Sequence, residues 1–443
     1  MTSIGGSVSW IWEYVLPFVV VLGTVVLFHE FGHYLVAKWL GITVEVFSVG
    51  FGPRIAGFRR RGTEYRISWI PLGGYVKLKG ETAEEGAAGG PPDPGNLLSR
   101  SRWQRFLVFV MGAVFNLITA YVLTVAVLLS GMREHAYLYE PPVVGEIDPD
   151  SPAREADIRP GDRVLSFGGQ RVANWKELQT LLLLNPRQTR EVVLEREGRT
   201  VITRLTVEAG VSEIGRVALF PDTGVMVGEV QQGRPAAEAG LQRGDRIVSI
   251  DGVAITNLNR LLEIIRGAAG RPLAFVIDRQ GNTLERTITP IQEGERGIIG
   301  FVPTPPTIVR TYPLGEALVR GVTANVESTV LVFITFRKLL ARELSLRAFS
   351  GPLELGRFSG EAAQEGLIPF LQLIAFISLQ LGIINLFPIP PLDGGHLFFL
   401  VIEGAIRRDL PAWIKERVAQ TGLVLLLIFM GTILYFDITK NLR

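Results

Sequence analysis

Two of the four histidines in this chain, His29 and His33, lie in the stretch FHEFGH. Side chains four residues apart share one face of a helix, so both imidazoles can bind the same metal ion. Glu30 lies beside them, where a carboxylate can accept a proton from a water molecule that the metal activates. This combination is typical of zinc hydrolases and predicts zinc-dependent hydrolysis.

The apolar run that leads into this motif, YVLPFVVVLGTVVLF, predicts a membrane-spanning helix over 14–36. Ionisable residues within a span are costly, and they normally face a cavity or the protein interior, where they have a function. The alternative is that these polar residues only pair with one another inside a helix bundle. We expect a metal site at the inner end of this span.

A zinc site that keeps one position for water needs a third protein ligand. The candidate region is NLFPIPPLDGGH, residues 385–396, because its prolines forbid a continuous helix. Broken backbone at membrane depth is tolerated where it is buried in protein or lines a water-filled cavity. Asp393 is the favoured ligand, since it lies near the inner end of a second inward-running span. His396 is the rival ligand.

Hydrophobic residues make up 47% of the 443 residues, which indicates a polytopic α-helical membrane protein with sizeable parts outside the membrane. Four runs are long enough to cross a bilayer, namely 14–36, 106–130, 367–387 and 419–436. The run at 329–336 is short and bracketed by charges. We therefore expect 315–342 to form an amphipathic helix on the membrane surface.

Lysine and arginine are enriched on the cytoplasmic side of membrane proteins. Eleven of them lie between the first two predicted spans, and none precedes the first span. This distribution predicts that 38–105 and 396–418 are cytoplasmic, and that both termini and 131–366 lie outside. The net charge of +2 gives no indication of nucleic-acid binding, and the absence of cysteine excludes a thiol nucleophile.

The outer segment repeats itself, because SPAREADIRPGDRVLSFGGQRV (151–172) aligns with RPAAEAGLQRGDRIVSIDGVAI (234–255). Each copy resembles a PDZ domain of bacterial proteases, a small α+β domain that binds peptide C-termini or extended segments at a sheet edge. We expect PDZ domains at 136–210 and 222–292. The alternative is that both copies are only spacers above the membrane.

The whole chain resembles the site-2 protease family of intramembrane zinc metalloproteases, through LFHEFGH, the tandem PDZ-like repeat and GIINLFPIPPLDGGH. The resemblance implies that His29, His33 and Asp393 bind zinc, that Glu30 is the catalytic base, and that His396 is only a neighbour. It also implies a membrane-re-entrant β-structure within 43–80, with turns at glycines, that pairs with substrate. The residues implied in substrate binding are Asn385, Asn116, Gly50, Gly52, Gly73 and Gly74.

These inferences predict two catalytic membrane halves, 1–135 and 367–443, with an external linker at 293–366. The expected function is cleavage of transmembrane segments in the bacterial inner membrane, with the active site toward the cytoplasm. The resemblance implies an anti-sigma factor, already cut once outside, and remnant signal peptides as substrates. The alternative is a membrane PDZ scaffold with a structural zinc, which would have no use for Glu30. A transporter would show inverted repeats among its spans, and none is evident.

Overall fold

The computed structural model describes residues 11–80, 93–148, 151–209, 215–216, 219–221, 223–294 and 296–441. The chain divides into two compact units. The first comprises Met1–Met132, Thr311–Lys338 and Phe349–Arg443, and the second comprises Arg133–Arg310 and Leu339–Ala348.

Within the described residues, the helices are α1 (Leu16–Trp39), α2 (Arg102–Ser130), α3 (Pro152–Glu155), α4 (Trp175–Leu183), α5 (Pro235–Glu238), α6 (Leu258–Arg266), α7 (Leu314–Leu340), α8 (Pro352–Glu365), α9 (Leu367–Leu386), α10 (Asp393–Ile406) and α11 (Ala412–Asn441). The strands are β1 (Val44–Arg60), β2 (Thr63–Leu78), β3 (Met132–His135), β4 (Val144–Ile147), β5 (Arg163–Phe167), β6 (Gln170–Arg171), β7 (Thr189–Arg196), β8 (Arg199–Thr206), β9 (Glu208–Ala209), β10 (Gly215–Arg216), β11 (Leu219–Pro221), β12 (Val225–Val230), β13 (Arg246–Ile250), β14 (Val253–Ala254), β15 (Leu273–Arg279), β16 (Asn282–Ile288), β17 (Ile291–Glu293), β18 (Arg296–Ile298), β19 (Phe301–Thr304) and β20 (Thr307–Arg310).

Helix α2 is the centre of the first unit and contacts α1, α9 and α10. It begins with a capping box in which Ser101 and Gln104 bond each other's backbone N–H groups. Gly32 of α1 and Gly382 of α9 allow the close approach of these helices. A Cβ on Gly32 would collide with the Met111 carbonyl group, and one on Gly382 would lie 3.1 Å from the Ala113 oxygen.

Five helices of the described chain are long and apolar enough to cross a membrane, namely Trp12–Trp39, Arg102–Ser130, Leu314–Leu340, Leu367–Leu386 and Ala412–Thr439. By length and composition, α7 joins the four expected runs as a fifth candidate. The expected surface position of 315–342 is wrong, because α7 packs along α2, with Ala317 against Val125 and Leu128. The Asn325 side chain also donates to Thr124 Oγ1 (3.3 Å), so a polar contact joins α7 to α2.

The chain enters α7 and begins α8 at the same end of the bundle. The Tyr312 N–H donates to the Leu128 carbonyl at the C-terminal end of α2 (3.1 Å). The Leu353 N–H at the start of α8 donates to Asp437 near the C-terminal end of α11 (2.8 Å). Helices α2 and α11 both begin at the end of the bundle where His33 and Asp393 lie and run toward the opposite end. Since α7 and α8 both begin at that opposite end, the chain returns to it between them.

Strands β1 and β2 form one antiparallel hairpin that is bent back on itself. Across the resulting sheet the segments follow the order 74–78, 44–49, 64–67 and 54–60. The bends fall at Gly50 and Gly73, whose φ angles of 90° and 112° lie in the region that favours glycine. The segment 74–78 is thereby an edge of this sheet.

The second unit contains two domains that repeat each other, since β5, α4, β7 and β8 of the first correspond to β13, α6, β15 and β16 of the second. Each domain has its own hydrophobic core, with Phe167 in one and Phe275 in the other. The same buried ion pair recurs at 2.7 Å, between Arg196 and Asp162 in the first domain and between Arg279 and Asp245 in the second.

Both repeat domains use strands that lie beyond their expected ends at 210 and 292. Strand β11 pairs with β4 of the first domain, and β19 pairs with β12 of the second. These strands are short and contain Pro221 and Pro303, a composition that reads as linker in sequence because proline is confined to edge strands.

Candidate metal centre

Three predicted ligand residues meet inside the first unit. His29 and His33 lie on α1 and are 7% and 8% exposed, and Asp393 is the first residue of α10. The His29 and His33 Nε2 atoms are 3.2 Å apart. Asp393 Oδ2 lies 3.0 Å from His29 Nε2 and 3.3 Å from His33 Nε2.

The size of this triangle fits a zinc ion. Ligand atoms about 2.05 Å from zinc at tetrahedral angles are roughly 3.3 Å from one another, and the three observed separations are 3.0, 3.2 and 3.3 Å. Two imidazole nitrogens and one carboxylate oxygen are also a donor set that zinc accepts. The residues present therefore fit the metal that their types predict.

The hydrogen bond at His33 Nδ1 is compatible with a cation between these atoms. His33 Nδ1 lies 2.8 Å from the Val108 carbonyl oxygen. A carbonyl oxygen only accepts hydrogen bonds, so Nδ1 carries the proton and Nε2 of the neutral ring has a lone pair. That lone pair faces the buried Asp393 Oδ2. A positive charge between them removes the repulsion.

Gly112 of α2 closes one side of the cluster. A Cβ at this position would overlap His33 Nε2 and lie 2.8 Å from His29 Cε1. The sequence reasoning missed this residue. The sequence offers one indication of its role, since it is a glycine within the apolar run 106–130.

His396 does not join the cluster of the other two histidines and Asp393. Its ring instead stacks on Phe109, with ring centroids 4.6 Å apart and planes 5° from parallel. It lies one helical turn after Asp393, and its contact packs α10 against α2. The rival ligand assignment therefore finds no support in this geometry.

Glu30 is held by the edge of the β-sheet. The Val76 N–H donates to Glu30 Oε2 at 3.0 Å, so one carboxylate oxygen is fixed and the other is available. This contact also places the sheet edge 74–78 beside the cluster. The backbone N–H of Val76 was not identified from the sequence, because its direction depends on the bend at Gly73.

Two predicted asparagines also lie at the cluster, on the far side of the His29 ring. Asn116 Nδ2 is 3.3 Å from His29 Nδ1, and Asn385 Nδ2 is 3.4 Å from both nitrogens of the same ring. Both asparagines are buried.

The four predicted glycines lie in the bent hairpin rather than against His29, His33 or Asp393. Gly50, Gly52 and Gly73 have positive φ angles, and a Cβ on Gly74 would overlap the Ser48 carbonyl group. They shape the sheet that carries the edge at Val76.

A pair of histidines, a carboxylate and an adjacent glutamate within a bundle of apolar helices define a class of protein, the membrane-embedded metalloproteases.

Comparisons with known proteins agree with this class. The model of Peptidase family M50 matches residues 17–429. Regulator of sigma-E protease RseP of Salmonella typhimurium is 34% identical over 449 residues, which cover 96% of this chain and 98% of the relative. The Escherichia coli K12 protein of that name is 34% identical over 462 residues, covering 98% and 99%.

Two further similarities are to another relative and to a solved structure. A Vibrio cholerae serotype O1 protein that carries a zinc metalloprotease name is 29% identical over 460 residues, covering 97% of this chain and 99% of the relative. The solved PDZ domain of an SdrC-like protein from Listeria monocytogenes is 25% identical, covers 19% of this chain and 92% of that chain, and has a TM-score of 0.18.

The chain belongs to peptidase family M50, the site-2 protease family, and is a zinc metalloprotease. The family resemblance inferred from FHEFGH and the proline-rich stretch is confirmed.

Proposed function

We propose that this protein is an intramembrane endopeptidase that cuts transmembrane segments of single-pass membrane proteins. The observation that carries the proposal is the position of the cluster. His29 and His33 are buried on a helix that is long and apolar enough to cross a membrane. The two membrane halves, 1–135 and 367–443, each contribute residues to the cluster. A peptide bond cut at the cluster therefore belongs to a substrate segment within the bilayer.

Contacts along α1 support an active site toward the cytoplasmic side of the inner membrane. The β-sheet follows α1 from Glu30, bonded to Val76, through Tyr34, whose hydroxyl is 2.6 Å from that of Tyr65. Exposed tryptophans at the ends of the helices on this side are typical of a membrane interface, namely Trp39, Trp103 and Trp413. Glu30 lies nine residues before Trp39 on α1, so the sheet enters the membrane beside it.

In the proposed reaction His29, His33 and Asp393 hold zinc, and Glu30 is the base. Zinc, when bound there, supplies Lewis acidity that makes water a better nucleophile at neutral pH and polarises the scissile carbonyl. Glu30 accepts the proton of the attacking water and passes it to the leaving amine nitrogen. The Asn385 amide donates to the carbonyl oxygen as negative charge develops on it.

The sheet edge explains how a helical substrate becomes cleavable. A transmembrane helix satisfies its backbone groups internally, so unwinding it inside the bilayer leaves N–H and C=O groups without partners. An edge strand at 74–78 can pair with the unwound segment and satisfy some of these groups. The bends at Gly50, Gly52, Gly73 and Gly74 bring this edge to Glu30.

The repeat domains are proposed to select substrates. As PDZ-like domains on the outer side, they exclude proteins with a large folded outer domain and bind extended segments or C-termini of trimmed ones. The relatives named as regulators of sigma-E protease favour an anti-sigma factor, already cut outside, as a substrate. Remnant signal peptides have the same short outer part and are further substrates.

The proposal is tested with the full-length protein in detergent and a synthetic single-pass substrate. We compare the wild type, Glu30→Gln, His33→Ala and the carboxylate control Glu365→Gln, and we measure bound zinc in each. Glu30→Gln is expected to keep zinc and to lose activity by about 10²–10⁴-fold, because the base is absent. His33→Ala is expected to lose both zinc and activity, and Glu365→Gln neither.

Cleavage by Glu30→Gln at the wild-type rate would contradict the role of Glu30. Zinc retention in all variants with no cleavage by the wild type would favour a scaffold with a structural zinc. Zinc retention in His33→Ala would contradict the ligand set.

A further inference from the structure

The His29 ring presents two nitrogens to different surroundings. Nε2 faces His33 and Asp393, while Nδ1 faces two carboxamides. Asn385 Nδ2 is 3.4 Å from both ring nitrogens and so cannot lie along the lone pair of either one. Asn116, at 3.3 Å from Nδ1 alone, is therefore the directional partner of this nitrogen.

A metal ligand at Nε2 requires the ring proton on Nδ1, and this proton requires an acceptor. At His33 the acceptor is the Val108 carbonyl oxygen, which can only accept a hydrogen bond. At His29 the partner is a carboxamide, which has a donating and an accepting end. The nitrogen and oxygen of an amide are assigned from the hydrogen-bond network around them. The orientation of Asn116 thus decides the tautomer of His29.

Ser378 of α9 determines that orientation. Its hydroxyl donates its single proton to the Asn116 main-chain oxygen at 2.9 Å, so its remaining capacity is that of an acceptor. The end of the Asn116 amide that faces Ser378, 3.5 Å away, is assigned as Oδ1, with Nδ2 toward His29, which puts two acceptors opposite each other. We therefore exchange the two ends of the amide and place the N–H₂ group toward Ser378. The amide oxygen consequently faces His29 Nδ1–H. Both Asn116 and Ser378 have 0% exposure, so water does not replace either bond.

We propose that Ser378 is a positioning residue for the metal centre: it turns the Asn116 oxygen toward His29, which keeps the ring proton on Nδ1 and leaves Nε2 for the metal. The relay runs from the Ser378 hydroxyl through the Asn116 amide to the His29 ring. The inference rests on the proposed role of His29 as a ligand, and it assigns Asn116 to His29 rather than to substrate.

The test is a double-mutant cycle with the full-length protein: wild type, Ser378→Ala, Asn116→Asp and the double variant. A carboxylate has an oxygen at both ends, so its orientation no longer matters. Ser378→Ala alone is expected to weaken zinc binding about 10- to 100-fold, as for partners of metal ligands. When it is added to Asn116→Asp, the same substitution is expected to change zinc affinity less than about threefold, because the relay no longer depends on Ser378. Zinc affinity is measured by chelator competition.

An equal loss of zinc affinity with and without Asn116→Asp would overturn the proposal, because a residue that only packs α9 against α2 acts equally in both cases. If Asn116→Asp does not fold, nitrogen NMR of isotope-labelled histidine in the metal-free protein provides the second measurement, since the chain has only four histidines. Ser378→Ala is expected to move the His29 proton from Nδ1 toward Nε2, and an unchanged tautomer would contradict the relay.

A third variant separates this inference from the proposed function. His29→Ala is expected to lose zinc. If it retains zinc at wild-type affinity, the ligand assignment fails. If it loses zinc while the cycle shows no coupling, only the relay through Ser378 fails.

Discussion

At the scale of single residues, the metal centre depends on groups that do not contact the metal. The Val108 carbonyl fixes the tautomer of His33, and Gly112 leaves the space in which both imidazoles lie. A ligand triangle with sides of 3.0 to 3.3 Å tolerates little displacement, because metal–ligand distances vary by only about 0.2 Å. Substitutions behind the ligands are therefore expected to affect zinc binding strongly.

Gly112→Ala is the sharpest test of this expectation. The added methyl group overlaps His33 Nε2, so we expect zinc affinity to fall about 10- to 100-fold, the equivalent of a moderate overpacking penalty. The control is Gly431→Ala on α11, where a Cβ meets no atom within 4 Å. Bound zinc and the thermal unfolding midpoint are measured for both.

Equal zinc affinity in Gly112→Ala and Gly431→Ala would show that α2 can move away from the histidines. If Gly112→Ala lowers the unfolding midpoint of the metal-free protein but leaves zinc affinity unchanged, the substitution causes a packing defect and does not affect the metal centre.

At the scale of elements, the β-hairpin and α1 form one functional edge. The N–H of Val76 points away from the sheet and bonds Glu30, so a side chain of α1 occupies a position that a neighbouring strand would otherwise fill. This arrangement links the orientation of the base to the position of the edge that is proposed to hold substrate.

Val76→Pro removes this N–H, and Val76→Ala keeps it while shortening the side chain. Proline is tolerated on an edge strand where its nitrogen faces outward, so the sheet is expected to persist. We expect Val76→Pro to lower kcat/KM about 10- to 100-fold with zinc retained, as loss of a positioned hydrogen bond to a charged group predicts. Val76→Ala is expected to remain within about threefold of the wild type, since it keeps the hydrogen bond. Equal effects of the two substitutions would contradict the role of the N–H.

At the scale of the whole molecule, α7 and α8 begin at the same end of the helix bundle. Both begin at the C-terminal ends of α2 and α11, so α7 adds a fifth apolar helix without moving Asp393 away from His33. A simple crossing by α7 would place α8 at the opposite end of the bundle.

The absence of cysteine in the chain allows this topology to be tested by single-cysteine labelling. We expect Arg199→Cys and Glu365→Cys to react with a membrane-impermeant maleimide in intact spheroplasts. Arg59→Cys and Arg408→Cys are expected to react only after permeabilisation, because the distribution of basic residues places them inside. Labelling of Glu365→Cys with the inner pair would show that α7 crosses the membrane.

The sequence predicted those parts of the site that have local signals. His29, Glu30 and His33 lie within six residues, and the prolines before Asp393 mark a break in a helix. Contacts between distant helices were not predictable, because the approach of Gly112 and the bond from Ser378 to Asn116 depend on how α1, α2 and α9 pack.

The fold shows the same division between local and distant information. Four apolar runs and the repeat were evident from composition and period. The placement of α7 was missed, because its apolar run at 329–336 is short and bracketed by charges, while its packing against α2 is set by the bundle. The strand β19 was missed because four residues that include Pro303 carry little strand signal until β12 is known to lie beside them.

At three glycines at the centre of the bundle, Gly32, Gly112 and Gly382, an added Cβ would come within 3.1 Å of an atom of a neighbouring helix. A larger residue at any of these positions would push α2 away from a neighbouring helix or from the histidines, so the spacing of the helices around the cluster is set by the absence of three side chains.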